Sequence, residues 1–295
     1  MKLVLFLITY PLFWFISILP FRLLYLLSDG MYILIYYIIG YRKKTVRYNL
    51  KLALPNLTDQ ERLLIEKKSF RHLCDMFLEI VKTMTISQKE MDKRFRFSNL
   101  EVYQNLEKKG KSIVLLCAHY ASYEWVISMN KYINFKGYAI YKQFSNPYYD
   151  ALIKKIRSKH KAFLITTKQT TKVVENNQLN GVLGVYGFAG DQSPKAFKAR
   201  HWGPFMGVNV PIYTGAEMLA KKFDMNAIFL KVKRVKRGYY EASFEVLSEN
   251  VKSVPNYQIT DTYIQKVEEQ IKEAPEFYFW THKRFKHAKK ENHPS

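Results

Sequence analysis

The first forty residues are almost continuously apolar. The runs LVLFLITYPLFWFISILPFRLLYLL and MYILIYYIIG are separated only by Ser28-Asp29-Gly30. About 20 apolar residues cross a bilayer, so there is room here for one membrane helix or a hairpin of two. A hairpin buried inside a globular core is the alternative, but apolarity on all faces of a helix favours lipid contact. We therefore predict a membrane anchor over residues 1–40.

A basic cluster follows this segment at once, formed by Arg42, Lys43, Lys44 and Arg47. Basic residues that flank a membrane helix stay on the cytoplasmic side. They also attract anionic lipid headgroups. The cluster thus predicts that the following chain lies in the cytoplasm, against an anionic membrane surface.

Residues 41–96 carry a helical pattern of apolar positions. Thr58 and Glu61 have the spacing of a capping box, which places the start of a long helix at this point. Asp75 and Glu79 lie four residues apart on that helix, and we interpret them as a solvated pair without a role. We predict a helical region that packs on the domain that follows it.

From residue 97 to residue 295 the pattern changes to alternating strands and helices. This alternation predicts an α/β domain with a mixed, largely parallel central sheet flanked by helices. The glycine in KVKRVKRGYYEASFEV indicates an antiparallel hairpin late in the sheet. The strand signals cover residues 113–118, 137–141, 162–166, 182–186, 227–232 and 240–246. The helical signals cover residues 123–132, 147–158, 170–177, 215–223 and 260–273.

The predicted strand at 113–118 ends abruptly at His119, and Glu124 follows five residues later. On one continuous helix these two side chains would lie about 140° apart. They meet only if His119 lies in the loop before a helix and Glu124 lies in its first turn, with Ser122 as the N-cap. A carboxylate on one imidazole nitrogen raises the basicity of the other, and this would make His119 a general base. A structural histidine at a strand end is the alternative, and the spacing alone favours it.

The charge balance narrows the class of partner. Lys and Arg number 47 against 25 Asp and Glu, a net charge of +22, which implies a polyanionic partner. The basic residues are scattered and no recognition motif with interleaved aromatics stands out, so we expect no nucleic acid. Two cysteines fit a reducing compartment. We find no zinc-ligand spacing and no glycine-rich phosphate loop, so we expect no cofactor and no metal.

Four further features of the sequence have a possible structural or functional role. Cys117 could be a nucleophile, but a buried strand cysteine is commoner. The basic strand 231–238 could meet an acidic carrier protein or the membrane, or it could be a solvated edge strand. We interpret the apolar loop 206–214 as a wall of an acyl pocket. Trp280 and the charged residues 282–284 combine an aromatic ring with charges, as an interfacial anchor does.

Several blocks together resemble one family. His119 and Glu124 form the His-x-x-x-x-acid box of the lysophospholipid acyltransferase superfamily. Four further blocks resemble the bacterial late lipid A acyltransferases: the segment from GYRKKTVRYNL to MFLE, then NPYYDALIKKIRSKH, GDQSPK and APEFYFWTHKRFK. They run in family order from about residue 41 to residue 286. The acidic-Gly-x-Arg motif of the glycerol phosphate branch is absent at Gly190-Asp191-Gln192, which disfavours that acceptor.

The resemblance implies that a fatty acyl chain moves from an acyl thioester, on acyl carrier protein or CoA, to a hydroxyl of a lipid A precursor or related membrane lipid. It implies that His119 is the base and that Glu124 orients it. It also implies a bacterial inner membrane location. The residues we expect to contact substrate are Arg157, Asp191, Gln192, Lys195 and Arg200.

Three alternatives stay open at this point. The acceptor could be a lysophospholipid or an aminolipid. The chain could instead be a non-catalytic, membrane-tethered binding protein with a basic surface. It could also be a hydrolase that directs His119 and Glu124 at water.

Overall fold

Two apolar helices begin the chain in the computed structural model, which describes residues 1–288. Residues 289–295, the end of the predicted α/β domain, lie outside the described part. Helix α1 covers Lys2–Ile18, and α2 covers Phe21–Tyr32 and continues as a π-helical stretch, Ile33–Ile39. The continuous segment Phe21–Ile39 is the one described helix that is long and apolar enough to cross a membrane. Gly40 ends it with a positive φ of 65°, a conformation that glycine adopts without strain.

Three helices follow: α3 (Lys43–Ala53), α4 (Asp59–Lys82) and α5 (Gln88–Arg94). The predicted capping box is confirmed, because Thr58 accepts from the Glu61 amide while the Glu61 carboxylate accepts from the Thr58 amide. The interpretation of Asp75 and Glu79 as a solvated pair was wrong. They are only 2% and 1% exposed and face α2.

A seven-stranded mixed sheet forms the centre of the molecule, in the order β1-β9-β8-β2-β5-β3-β4. All neighbouring pairs are parallel except the β8–β9 hairpin, which is antiparallel. The predicted fold class is therefore confirmed. Its strands are β1 (Phe95–Phe97), β2 (Ile113–Cys117), β3 (Lys136–Tyr141), β4 (Ala162–Thr166), β5 (Gly184–Ala189), β8 (Asn226–Lys236) and β9 (Tyr239–Ser248).

Four helices of the α/β part lie between strands along the chain, and a fifth follows β9: α6 (Leu100–Glu107), α7 (Pro147–Ser158), α8 (Thr170–Leu179), α9 (Gly215–Phe223) and, after β9, α10 (Gln258–Glu273). A 3-10 helix, Tyr123–Lys131, replaces the α-helix that we predicted after His119. Shorter 3-10 turns occur at Ala196–Lys198 and Pro275–Phe277.

The segment that we interpreted as an apolar loop is partly a strand. A separate antiparallel hairpin pairs β6 (His201–Phe205) with β7 (Val208–Ile212). Its turn, Met206-Gly207, has positive φ at both residues. Met-Gly lacks the Asn-Gly or Asp-Gly signal of such turns, and both strands contain proline, so the sequence pattern did not reveal the hairpin.

The basic strand 231–238 lies in the end of β8 and the turn after it. Strand β2 pairs with β8 only at residues 226–229, so the part 231–236 pairs with β9 alone, as an edge strand does. Arg237 forms ion pairs with Asp29 and Asp75. Arg234 also reaches Asp75, at 3.5 Å. Arg234 and Arg237 are therefore paired with carboxylates of the same chain, and they are not available to bind an acidic carrier protein.

Candidate active site

The order of the strands brings a histidine and an aspartate to the same edge of the sheet. Strands β2 and β5 are parallel neighbours, so their carboxyl ends lie side by side. His119 follows β2 and Asp191 follows β5. A polar pair in this position is typical of the ligand crevice of an open α/β sheet.

His119 and Asp191 form a hydrogen-bonded pair. His119 Nδ1 lies 2.7 Å from Asp191 Oδ1, and the His119 backbone amide donates to the same oxygen at 3.1 Å. Asp191 is wholly buried, whereas the His119 side chain is 19% exposed and lines a cleft. With Nδ1 tied to the carboxylate, Nε2 is the nitrogen that can exchange a proton with a bound substrate.

The predicted contact between His119 and Glu124 is not what the structure contains. Glu124 Oε2 accepts from Arg157 Nη2 at 2.6 Å. Ser122 does not cap the 3-10 helix, and its hydroxyl instead donates to the buried Glu79. Glu124 and His119 line the same cleft, and the Glu124 charge adds to the raised pKa of His119. The sequence motif alone could not reveal Asp191 as the partner, because the two residues are 72 positions apart.

The two members of the pair shift each other's ionisation in opposite directions. Burial alone would lower the pKa of His119, but the Asp191 carboxylate and, to a smaller degree, Glu124 together outweigh burial and raise the pKa. Burial alone would raise the pKa of Asp191, yet its interactions with His119 hold it below the usual range. The pair thus favours an ionised carboxylate beside an imidazole of increased basicity.

Tyr263 holds the ends of both strands in place. From α10, its hydroxyl donates to the Cys117 carbonyl at 2.7 Å and accepts from the Gly190 amide at 3.1 Å. These backbone groups lie two residues before His119 and one before Asp191. Tyr263 is buried, and its single hydroxyl bridges the two loops that carry the pair. A buried tyrosine on an amphipathic helix has no distinctive sequence pattern, so Tyr263 was not predicted.

The C-terminal segment 274–285, one of the family-like blocks, packs against the loops that carry the pair. Its backbone pairs with the His119 loop: the Phe279 amide donates to the His119 carbonyl at 3.1 Å, and the Ala121 amide donates to the Phe277 carbonyl at 2.9 Å. Tyr278 donates to the Asp191 carbonyl at 3.4 Å. The segment therefore positions both loops at once.

The interfacial anchor that we predicted in this segment was wrong. Trp280 and Arg284 are each 1% exposed. Arg284 donates to the Pro211 carbonyl and lies over the Phe205 ring. His282 accepts from the Ser193 amide, so it supports the loop after Asp191.

A wide cleft of about 1660 Å³ opens in front of His119. Of the predicted substrate contacts, Arg157, Gln192, Lys195 and Arg200 line it. Asp191 does not line the cleft, because it is buried beneath His119. The prediction that Asp191 contacts the substrate was therefore wrong. Lys142, Lys168, Lys198 and Lys222 also line the cleft, and Glu124 supplies the sole carboxylate among its described lining residues. The cleft therefore suits an anionic substrate. Ile212, Tyr213 and Thr214 from the segment 206–214 form part of its wall.

Cys117 is unsuited to nucleophilic attack. It lies in the buried strand β2, and burial, with smaller contributions from Asp191 and Glu124, raises its pKa to about 12. A thiolate is therefore scarce at neutral pH. Within residues 1–288, no group of three His, Cys, Asp or Glu side chains is placed to hold a metal ion.

A histidine hydrogen-bonded to a buried aspartate, beside a basic cleft at the carboxyl edge of the sheet, suits proton transfer on an anionic substrate. Residues 2–287 match the model of the bacterial lipid A biosynthesis acyltransferase family. The chain belongs to this family, and it is an acyltransferase. It is also similar to the lipid A biosynthesis lauroyltransferase of Escherichia coli (strain K12), with 22% identity over 283 residues, covering 92% of this chain and 88% of that protein.

Proposed function

We propose that this acyltransferase moves a fatty acyl chain from an acyl thioester to a hydroxyl of a lipid A precursor, with His119 as the general base. The observation that carries the proposal is the His119–Asp191 pair at the cleft in a chain of this family. Family membership also disfavours the alternative of a non-catalytic binding protein.

The reaction needs one base and no covalent enzyme intermediate. Nε2 of His119 takes the proton of the acceptor hydroxyl as its oxygen attacks the thioester carbonyl carbon. The resulting tetrahedral oxyanion collapses, the C–S bond breaks, and the thiolate leaves with the proton from Nε2. Asp191 stabilises the imidazolium that exists between the two proton transfers.

The cations of the cleft, among them Arg157, Lys195 and Arg200, provide contacts for the phosphates of the substrates. Both substrates carry such groups: the donor on its carrier arm or CoA, the acceptor on its headgroup. Glu124 binds Arg157 within the cleft lining and adds its negative charge to the electrostatic environment of His119. In this proposal Glu124 acts mainly through Arg157.

We further propose that the enzyme works at the cytoplasmic face of the bacterial inner membrane. The outward apolar side chains of α1 and α2 support this, because large exposed apolar patches mark membrane or partner contacts. Within the basic cluster, Lys44 is exposed and suits an anionic headgroup, whereas Arg42 and Arg47 are bound to Thr281 and Glu66.

Acyl transfer by the purified protein tests this proposal. Acyl carrier protein and CoA thioesters serve in parallel as donors, with a lipid A precursor as acceptor, and lipid products are measured by mass spectrometry. His119→Ala should lower the rate by about 10²–10⁴-fold, the usual contribution of a general base.

The matched control is His201→Ala. His201 also pairs with an aspartate, Asp261, at 2.6 Å, but it lies outside the cleft lining. This variant should keep its activity. Near-normal transfer by His119→Ala would overturn the proposal. Thioester consumption that releases fatty acid without acylated lipid would instead show a hydrolase.

A further inference from the structure

Helix α2 and its π-helical extension have two unlike faces. Leu24, Ser28, Tyr32 and Tyr36 recur every fourth residue and are 0–4% exposed. The opposite face is apolar and open, and its side chains are 46–73% exposed: Leu23, Leu26, Ile33, Leu34, Ile38 and Ile39. A helix that crosses a bilayer alone has lipid on all sides, whereas this one has protein on one side.

Polar bonds fasten the inner face along its length to α4. Tyr25 donates to Glu79 at 2.9 Å, Ser28 to Asp75 at 2.7 Å, and Tyr36 to Glu66 at 2.8 Å. The partners run backwards along α4 as α2 advances, so the two helices are antiparallel. The bonded stretch from Tyr25 to Tyr36 covers about 16 Å at 1.5 Å per residue.

A charged contact lies near the middle of the same face. Asp29 forms an ion pair with Arg237, at 2.7 Å, in the turn between β8 and β9. Arg237 also binds Asp75 and the Tyr25 carbonyl. The central part of α2 is thus bound to both α4 and the main sheet.

These contacts conflict with a membrane-spanning arrangement. Asp29 lies near the centre of the Phe21–Ile39 segment, so a spanning α2 would place a carboxylate close to the bilayer midplane, where charge is strongly disfavoured. Moving α2 into lipid would also remove one hydrogen-bond donor each from Glu66, Asp75 and Glu79, three side chains that are buried on α4. Helix α4 cannot follow, because it packs against the C-terminal segment and the core.

Helix α1 is fastened in the same way. Lys2 donates to the Ser145 carbonyl at 2.8 Å, and Asn146 donates back to the Lys2 carbonyl at 3.1 Å. Thr9 is hydrogen-bonded to Tyr149 on α7. Its other side is open, with Leu7, Ile8, Leu12 and Phe15 all more than half exposed.

We propose that α1 and α2 lie in the plane of one leaflet of a phospholipid bilayer and do not cross it. Their outer faces enter the boundary between headgroups and acyl chains, as interfacial helices do. Ser145 both holds the start of α1 and lines the cleft. The mouth of the cleft then lies at the level of the headgroups, where a lipid acceptor can enter sideways. This rests on the membrane association proposed above.

Cross-linking in native membranes tests the arrangement. The variant Asp29→Cys with Arg237→Cys is treated with a short bismaleimide, first in isolated membranes and then in detergent. Cys74 and Cys117 are buried and stay in place. Mass spectrometry of the digested protein detects a link between positions 29 and 237.

The in-plane arrangement predicts the link equally in membranes and in detergent. The matched control, Ile38→Cys with Arg237→Cys, should give no link, since Ile38 is 73% exposed on the outer face and lies nine residues, about 13 Å, beyond Asp29 along the helix. A 29–237 link that forms only in detergent would overturn the proposal, because it would mean that α2 leaves the domain inside the bilayer.

A measurement on the unmutated chain guards against a folding defect in the cysteine variants. An epitope at the N-terminus should be digested by protease in inverted vesicles and protected in spheroplasts, together with a C-terminal epitope. Opposite protection of the two ends would establish a span and overturn the proposal. Recovery of the protein in the soluble fraction would instead overturn membrane association, and the acyl-transfer assay decides the activity independently.

Discussion

The substitution Asp191→Asn tests whether Asp191, and not Glu124, is the carboxylate that raises the basicity of His119. It keeps the size of a wholly buried side chain and removes only its charge. The Nδ1 hydrogen bond at 2.7 Å then lacks a charged acceptor. Hydrogen bonds to charged groups contribute about 1.5–3 kcal/mol. Since about 1.4 kcal/mol corresponds to a factor of ten in rate, kcat/KM should fall about 10- to 150-fold.

The pH profile gives a second, independent result. The active form of His119 is neutral, so kcat/KM rises as pH rises through its pKa. Asp191 raises that pKa above the ordinary value against the opposing effect of burial. Without the Asp191 charge, burial dominates and lowers the pKa of His119. In Asp191→Asn the acid limb of the profile, where kcat/KM rises with pH, should therefore move to lower pH. A residue needed only for folding would not move the limb.

The matched comparison is Glu124→Gln, assayed with the same thioester and lipid acceptor over the same pH range. Its main partner is Arg157, so we expect a raised KM and only a small shift of the limb in the same direction. Thermal unfolding of each variant checks that the fold is intact. The reasoning is refuted if Asp191→Asn keeps a normal rate and limb, or if Glu124→Gln shifts the limb further.

Three further predictions concern the stability of the fold and the contact of α2 with lipid. Burial, reinforced by Asp75, raises the pKa of Glu79 from 4.5 to about 7. Between pH 4.5 and about 7, Glu79 is therefore protonated more fully in the folded state than in the unfolded state. As pH rises through this range, Glu79 should lower the free energy of unfolding by at most about 3 kcal/mol. Urea unfolding of Glu79→Gln should lack this fall in stability. Thr58→Ala removes the side-chain oxygen that accepts from the Glu61 amide, while the backbone amide of residue 58 can still donate to the Glu61 carboxylate. This should cost about 1 kcal/mol in the same assay, whereas a loss below about 0.3 kcal/mol would mean that α4 does not depend on its cap. Leu26→Glu places a charge on the outer face of α2 and should weaken binding to anionic vesicles in a sedimentation assay without lowering the melting temperature; unchanged sedimentation would argue against lipid contact there.

Local patterns were sufficient for most of the secondary structure. The helix limits Pro147–Ser158 and Gly215–Phe223 and the strand Ala162–Thr166 agree with the predicted ranges. Asn146 caps its helix before Pro147, a start that nearest neighbours specify. By contrast, β1 is three residues long and exists only because it pairs with β9. Such a short segment carries no periodic signal of its own.

The sequence by itself determined the class of fold, the position of His119 at the end of a buried strand, and the family. These depend on local periodicity and on short blocks in fixed order. The tertiary structure decided which carboxylate meets the imidazole, since β5 inserts beside β2 and brings Asp191 across 72 residues to Nδ1. It also decided the environment of Asp75 and Glu79, which α2 covers. Contacts between distant segments depend on strand order and helix packing, and one-dimensional spacing does not contain them.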